Sequence, residues 1–123
     1  MSDDKALNLV RLLYKRTTAG SIDWQYARKD EVSASVDEYS LVLRRQEDQD
    51  YPEQPDYFLT LVDSQGRNIE TISNISLRPL MDRVGDEGLN PYQLLAETYR
   101  LARRKALGVD EALDSVLKRL AEG

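Results

Sequence analysis

Residues 31–45, EVSASVDEYSLVLRR, decide the fold class of this chain. From Val32 to Val36 apolar side chains alternate with serines, and a second alternating run at 39–43 follows a short acidic break. A two-residue period is typical of a strand with one buried face, and so short a break joins antiparallel neighbours. The stretch therefore predicts a β-hairpin whose apolar face lies in the core.

Further strands are predicted on both sides of this hairpin. Before it, residues 22–26 alternate around Trp24, the single tryptophan of the chain. After it, residues 57–63 are apolar on both faces, which favours a central strand covered on both sides. A DSQG turn at 63–66 then leads into a strand at 67–73, because glycine tolerates the positive φ that such turns require. The sequence thus predicts a meander of about five strands.

Residues 46–56, QEDQDYPEQPD, interrupt the strands. They carry five carboxylates, two prolines and no basic side chain, which predicts a solvated, mobile and removable loop. Oxygen ligands at this spacing could bind calcium, but the D-x-D-x-D-G pattern of an EF-hand is missing, so a solvated linker is the better interpretation. Asp48, Asp50 and Glu53 are candidates for contact with a basic partner.

Amphipathic helices are predicted at both ends of the chain. Residues 4–18 repeat apolar side chains every three or four positions. At the other end Asn90 and Pro91 mark a helix start, and Gly108 separates this helix from a last one capped by Asp110. The apolar face of the last helix comprises Leu113, Val116, Leu117 and Leu120.

We expect a single α+β domain over residues 1–123, with an N-terminal helix, an antiparallel meander of about five strands and a C-terminal helical hairpin packed on one sheet face. Prolines and glycines allow only one short helical turn, at 80–84, before the hairpin. The other sheet face can stay wet, which makes it a candidate for function. The residues expected in the core are Leu9, Leu13, Trp24, Leu41, Leu59, Leu61, Leu95, Tyr99, Leu113 and Leu117.

The sequence contains neither cysteine nor histidine. These two residues supply most of the nucleophiles, general bases and zinc ligands that work near neutral pH. The remaining residues form none of the local catalytic motifs, no phosphate loop and no metal-ligand spacing. We therefore expect no catalytic residue, no cofactor, no metal site and no enzymatic activity.

The net charge of −5 is concentrated in the middle of the chain. Residues 21–63 hold four basic and eleven acidic side chains, while both ends are slightly basic. An acidic domain binds polyanions poorly, which argues against nucleic acid as a partner. Arg100, Arg103 and Arg104 could contact phosphate, but cations near a helix C-terminus are ordinary, and these three are kept as candidate residues for partner binding.

No apolar run reaches the roughly 20 residues that span a bilayer, so we expect no membrane association. Asp3 and Asp4 stand where a secretory signal would be basic and then apolar, and the chain has no cysteine for disulfides. The expected location is the cytoplasm.

Three stretches carry a resemblance to known proteins: LVRLLYKRTTAGSIDW at 9–24, LVDSQGRNI at 61–69 and LLAETYRLARRKALGVDEALDSVLKRL at 94–120. Together they resemble a diffuse group of small uncharacterised bacterial proteins that share a leading helix, a strand bearing tryptophan and a C-terminal helix rich in alanine and arginine. The resemblance covers most of the chain and implies a bacterial or bacteriophage origin. It brings no activity with it.

Two classes of function remain open. The first, which we favour, is a non-enzymatic cytoplasmic protein-interaction module with a protein partner: an adaptor, an antitoxin-like or an immunity-like protein. The second is a binder of a small anionic metabolite or nucleotide, held by tyrosines and arginines; a homo-oligomer is compatible with either class. An exposed apolar patch without a deep pocket would favour the first class, and a concave site with converging Arg and Tyr side chains would favour the second.

Overall fold

The computed structural model describes residues 3–123. Its five strands form one open antiparallel sheet in which neighbours in sequence are neighbours in space. One helix precedes the sheet and two follow it, so the predicted α+β fold class is confirmed. The elements are α1 Asp3–Thr18, β1 Gln25–Arg28, β2 Glu31–Val36, β3 Tyr39–Gln46, β4 Asp56–Val62, β5 Asn68–Ser73, a 3₁₀ helix Arg78–Leu80, α2 Pro91–Ala106 and α3 Val109–Ala121.

The predicted hairpin consists of β2 and β3, and its register sets apolar side chains in one row. Val32 lies opposite Leu43, Leu43 opposite Leu59 of β4, and Leu59 opposite Ile72 of β5. All four side chains are buried. Because a two-residue period sends alternate side chains to one face, this row forms the floor of the core.

Helices α1 and α2 cover this face of the sheet. Helix α2 contacts strands β1 to β4 and packs against α1. Side chains such as Val10 of α1 and Leu94 and Leu95 of α2 join the sheet residues in one apolar cluster. Leu9 and Leu61 are half-buried at the margin of this cluster, and the other predicted core residues outside α3 are buried. The core therefore joins the N-terminal helix to the sheet and α2 as predicted, but it does not include the C-terminal helix, where the sequence predicts buried leucines.

The strand predicted at 57–63 is not covered on both faces. β4 lies between β3 and β5, and β3 is the middle strand of the sheet. On the face away from the helices, Phe58, Thr60 and Val62 are only partly buried. The guanidinium carbon of Arg44 lies 4.7 Å from the centroid of the Phe58 ring and shields it. The apolar residues at alternate positions of 57–63 predicted that this outer face is buried. In the structure it is only partly buried.

Trp24 lies outside the strand that its spacing predicts. β1 begins at Gln25, where Tyr26 is half exposed, whereas Trp24 is only 2% exposed. The indole Nε1 of Trp24 donates a hydrogen bond to Oγ1 of Thr17 at 3.1 Å, near the end of α1. The alternation therefore reflects a loop that packs against α1, and not a strand with its large side chains on one face.

The short helical turn predicted at 80–84 forms earlier, as the 3₁₀ helix Arg78–Leu80. Pro79 explains the difference, because its fixed φ suits the first turn of a helix. An exposed ion pair between Arg83 and Asp4 links the segment between the 3₁₀ helix and α2 to α1. The segment is thus held in place although its prolines and glycines prevent a longer helix.

Helix α2 begins where the sequence predicts. Asn90 Oδ1 accepts the backbone N–H of Gln93 at 2.8 Å, and Gln93 Oε1 accepts the backbone N–H of Asn90 at 3.0 Å. The two residues form a reciprocal capping box that satisfies two N–H groups at the helix start. The sequence predicts Asn90 as the cap but not the contribution of Gln93. After α2, Gly108 adopts left-handed backbone with a φ of 62° and connects the helix to α3.

Helix α3 differs from its prediction. It contacts α2 but buries none of its residues, and Leu113 and Leu117, which we expected in the core, are exposed. Its N-cap is Gly108, while Asp110, the predicted cap, forms an ion pair with Arg104 at 2.7 Å. The leucines are exposed because the helix contacts the domain through α2 and its apolar face is left in water. The helix starts at Gly108, two residues before Asp110, so Asp110 lies inside the first turn.

Candidate protein interface

Five apolar side chains form one stripe along α3, which we name the α3 stripe. Their spacing of four, three, one and three residues places them on one side of a helix with about 3.6 residues per turn. Leu113, Val116, Leu117 and Leu120 are 50%, 55%, 63% and 71% exposed. Val109, the first member, is partly buried. The stripe therefore presents a contiguous apolar surface to water, a feature that marks interaction sites.

The other exposed apolar side chains are scattered. They lie singly or in small numbers on separate helices, strands and loops, which is normal for a protein surface. Within the part of the chain that the structure describes, α3 carries more exposed large apolar side chains on one face than any other helix or strand. The scattered residues are Leu12, Tyr26, Val36, Tyr39, Tyr51, Ile69, Ile75, Val84 and Leu107.

The two ends of α3 carry opposite charge. Asp110, Glu111 and Asp114 lie in its first half, and Lys118 and Arg119 lie in its last turn. Acidic side chains near a helix N-terminus and basic side chains near its C-terminus interact favourably with the helix dipole. These charges stabilise a helix that gains little from packing on the domain.

The sequence predicts the α3 stripe as a core face and misses it as a site. Its spacing alone does not distinguish the two, because a buried face and a docking face share the same helical period. The signal that separates them is the exposure of its leucines, which depends on the tertiary packing.

The candidate arginines Arg100, Arg103 and Arg104 lie together on α2, beside a recess of about 490 Å³. Arg100 forms an ion pair with Glu97 of the same helix, and Arg104 pairs with Asp110 of α3. Arg103 makes no ion pair with any residue that the structure describes. The structure brings these three side chains together at one recess, and their role in binding stays a prediction.

Tyr57, Tyr99 and Arg45 complete the lining of this recess. The ring of Tyr57 contacts the rings of Tyr92 and Tyr99, with centroids 5.7 Å apart in both pairs. Burial raises the pKa of all three phenols, and the charge of Arg45 opposes that rise at each of them. The three tyrosines are therefore neutral at physiological pH and pack as part of the core.

The charges around the recess are largely balanced. Arg45 Nη1 lies 3.8 Å from a carboxylate oxygen of Asp30 and 3.6 Å from one of Glu47. Carboxylates that neutralise a guanidinium compete with an anionic ligand for the same donors. The recess thus has the converging Arg and Tyr side chains that a binder of small anions requires, but little excess of positive charge.

The acidic candidates Asp48, Asp50 and Glu53 lie in the loop between β3 and β4. Asp48 Oδ1 accepts the backbone N–H of Asp50 at 2.9 Å, and the Tyr92 hydroxyl donates to the Pro55 carbonyl at 2.7 Å, which fixes the end of the loop. Among residues 3–123, no hydrogen bond or ion pair joins these carboxylates to the arginines of α2. The acidic and basic candidate sets therefore do not contact each other directly.

Among residues 3–123, no helix is long and apolar enough to cross a membrane, and no cluster of acidic side chains is arranged to hold a metal ion.

No protein-family model, no curated protein and no solved structure matches this chain. The resemblance to a group of small bacterial proteins therefore stays a prediction. A proposal for the function has to be argued from the residues of the chain itself.

Proposed function

We propose that this chain is a non-enzymatic protein-interaction module that binds an amphipathic helix of its partner through the α3 stripe. One observation carries the proposal: four large apolar side chains on one helix are half or more exposed. Full burial of such a side chain contributes about 1.5 to 3 kcal/mol, so covering the stripe would supply a substantial driving force for association. Adaptors, antitoxins and immunity proteins act through binding of this kind.

A helix is the partner element that suits this surface. The stripe is narrow and follows a single helix axis, and side chains at helical spacing interdigitate with the ridges of another helix. Addition of a strand to the sheet is the less suitable mode. The pairings of both edge strands are irregular, between Tyr26 and Arg28 in β1 and at Leu61 and Val62 opposite β5, and such irregularities discourage edge pairing.

The acidic loop has a secondary role in this proposal. Asp50 and Glu53 are exposed, and exposed charge affects the rate of association more than the stability of a complex. We expect the combined neutralisation of Asp48, Asp50 and Glu53 to slow association with a basic partner at low salt without lowering the melting temperature.

The experiment compares the wild type with a double variant, Leu113→Ser with Leu117→Ser. Leu12→Ser is the matched control, because Leu12 is 51% exposed on α1 and lies outside the stripe. Each protein is used as bait in a native lysate, and the retained partner is then purified and titrated by calorimetry. The proposal predicts that the wild type and the control bind the partner, that the double variant loses binding, and that all three proteins melt at similar temperatures.

A fall in melting temperature for the double variant as large as that of a core variant would contradict the proposal. It would show that the α3 stripe stabilises the fold and is covered within the chain. Undiminished binding by the double variant would also contradict it, because the partner would then use another surface.

Binding of a small anionic ligand is the alternative function. The observation that favours it is the convergence of Arg45, Tyr99 and the unpaired Arg103 on one recess. Calorimetric titration with inorganic phosphate and with a nucleoside monophosphate tests it. Saturable binding that is lost in Arg103→Ala would support the alternative, whereas heats of dilution alone would leave the α3 stripe as the functional surface.

A further inference from the structure

We infer that the helix that covers the α3 stripe is α3 of a second copy of this chain, in antiparallel orientation. The inference rests on the proposed function, since it concerns the same surface and names its occupant. Two properties of α3 support it, the order of its apolar residues and the distribution of its charge, while its length limits the strength of the pair.

The order of the apolar residues fits an antiparallel pair. Val109, Leu113, Val116 and Leu120 follow one another at four, three and four residues, which is the spacing of a coiled-coil seam. In a two-fold antiparallel pair, Val109 packs against Leu120 of the partner subunit, and Leu113 against Val116 of the partner subunit. Every layer then combines one valine with one leucine, so the volume is constant along the interface.

A parallel pair fits the same residues less well. Each layer of a parallel pair would contain either two valines or two leucines, and the two kinds of layer would alternate along the interface. The four-three-four spacing also assigns the leucines to the a positions and the valines to the d positions, the reverse of the arrangement that favours parallel two-stranded coiled coils.

The charges of α3 favour the same orientation. An antiparallel pair brings the acidic first half of one α3 to the same end as the basic last turn of the other, with Asp110 and Arg119 flanking the stripe and Glu111 and Lys118 on the opposite side of the helix. A parallel pair would set acidic beside acidic and basic beside basic, which costs free energy at both ends. Antiparallel packing also aligns the two helix dipoles favourably.

The length of α3 limits the strength of the pair. Thirteen residues extend over about 20 Å, and an interface made by one such helix from each copy falls below the roughly 1,200 Å² of a standard stable complex. We therefore expect a reversible dimer with a dissociation constant on the order of micromolar or weaker.

Sedimentation equilibrium of the full chain tests whether the second copy is the occupant. Between about 5 and 500 µM, a range chosen to include weak association, the wild type and Leu12→Ser should shift from monomer to dimer. The double variant Leu113→Ser with Leu117→Ser should associate at least about tenfold more weakly. A wild type that stays monomeric over the whole range would overturn the inference, while a partner captured from lysate would still support the proposed function.

Disulfide cross-linking tests the orientation of the two helices. The chain has no native cysteine, so each disulfide has to form between introduced cysteines. Val109→Cys and Leu120→Cys are oxidised separately and as a mixture, and the products are read on a non-reducing gel. A disulfide requires Cα atoms within about 7 Å, whereas positions 109 and 120 of one helix are about 16 Å apart. An antiparallel pair should therefore cross-link in the mixture and not in either variant alone.

The opposite pattern, with each variant cross-linking to itself, would overturn the antiparallel arrangement. Cross-linking no greater than that of Leu12→Cys, which measures random collision, would overturn pairing through the α3 stripe altogether.

Discussion

Helices α2 and α3 have a similar pattern of apolar and basic residues and opposite environments. Both carry an apolar stripe at helical spacing and basic residues in the last turn. Yet Leu94 of α2 is fully buried, whereas Leu120 of α3 is 71% exposed. Helical periodicity therefore identifies the apolar face of a helix but does not determine what covers that face.

The packing of the helices accounts for the difference. Five strands spaced about 4.8 Å apart extend over roughly 20 Å, and two packed helices, about 10 Å apart and each about 10 Å wide, cover that distance. Helix α2 contacts β1 to β4, and α1 packs against α2. Helix α3 contacts α2 in this arrangement, and its large apolar side chains stay exposed.

The largest expected effect separates the two helices directly. Leu94→Ala should lower the free energy of unfolding by about 2 to 5 kcal/mol, because it leaves a cavity in the core. Leu113→Ala, the same substitution in α3, should change it by less than about 0.5 kcal/mol at low protein concentration. Urea denaturation measures both. An equal loss of unfolding free energy in the two variants would contradict the difference between a buried α2 face and an exposed α3 face.

The helix starts provide a second test of intermediate size. Asn90→Ala should destabilise the protein by about 1 kcal/mol, because it removes the side-chain acceptor at the start of α2. Helix α3 starts at Gly108 without a side-chain cap, so it has no equivalent contact to lose. Asn90→Asp is the control, since aspartate caps equally well and should preserve the denaturation midpoint.

A smaller effect is expected at alkaline pH and concerns the contact between α2 and β4. Burial raises the pKa of Tyr57, Tyr92 and Tyr99 in the folded state above the unfolded value of about 10. The neutral phenols therefore add stability below about pH 10, and this contribution is lost as the pH rises through the folded-state pKa values.

Urea denaturation at about pH 9 and about pH 11, with tyrosinate absorbance recorded in parallel, measures this loss. Tyr99→Phe should lose less stability between the two pH values than the wild type does. Identical losses in both proteins would show that the Tyr99 phenol ionises as freely in the folded state as in the unfolded one.

The smallest effect should follow the largest deletion. Removal of residues 109–123 eliminates α3 but no buried side chain, and of the ion pairs it breaks only the exposed one between Arg104 and Asp110. Because exposed ion pairs contribute about 0 to 1 kcal/mol, the truncated protein should keep its fold and most of its stability. Circular dichroism and thermal denaturation measure the outcome. Loss of cooperative unfolding would mean that α3 belongs to the folding unit.

Local patterns predicted those parts of the fold that depend on neighbours in sequence. The hairpin of β2 and β3 follows from alternation at 31–45, and the start of α2 follows from Asn90 and Pro91. Gly108 separates the last two helices because a left-handed backbone conformation suits glycine. In each case, the physical cause lies within a few residues and needs no distant contact.

Only the tertiary structure decided the positions that depend on distant partners. Trp24 alternates like a strand residue, yet its indole is bonded to Thr17 of α1 and lies outside β1. Asp110 has the identity of a helix cap, yet it pairs with Arg104.

The sequence by itself determined that residues 109–121 form a helix with one apolar face, because that property arises from the spacing of its own residues. Whether the face is buried was decided by the tertiary packing, in which α1 and α2 contribute side chains to the core cluster and α3 does not. The candidate interface therefore depends on contacts between distant elements, which the sequence of α3 alone does not determine.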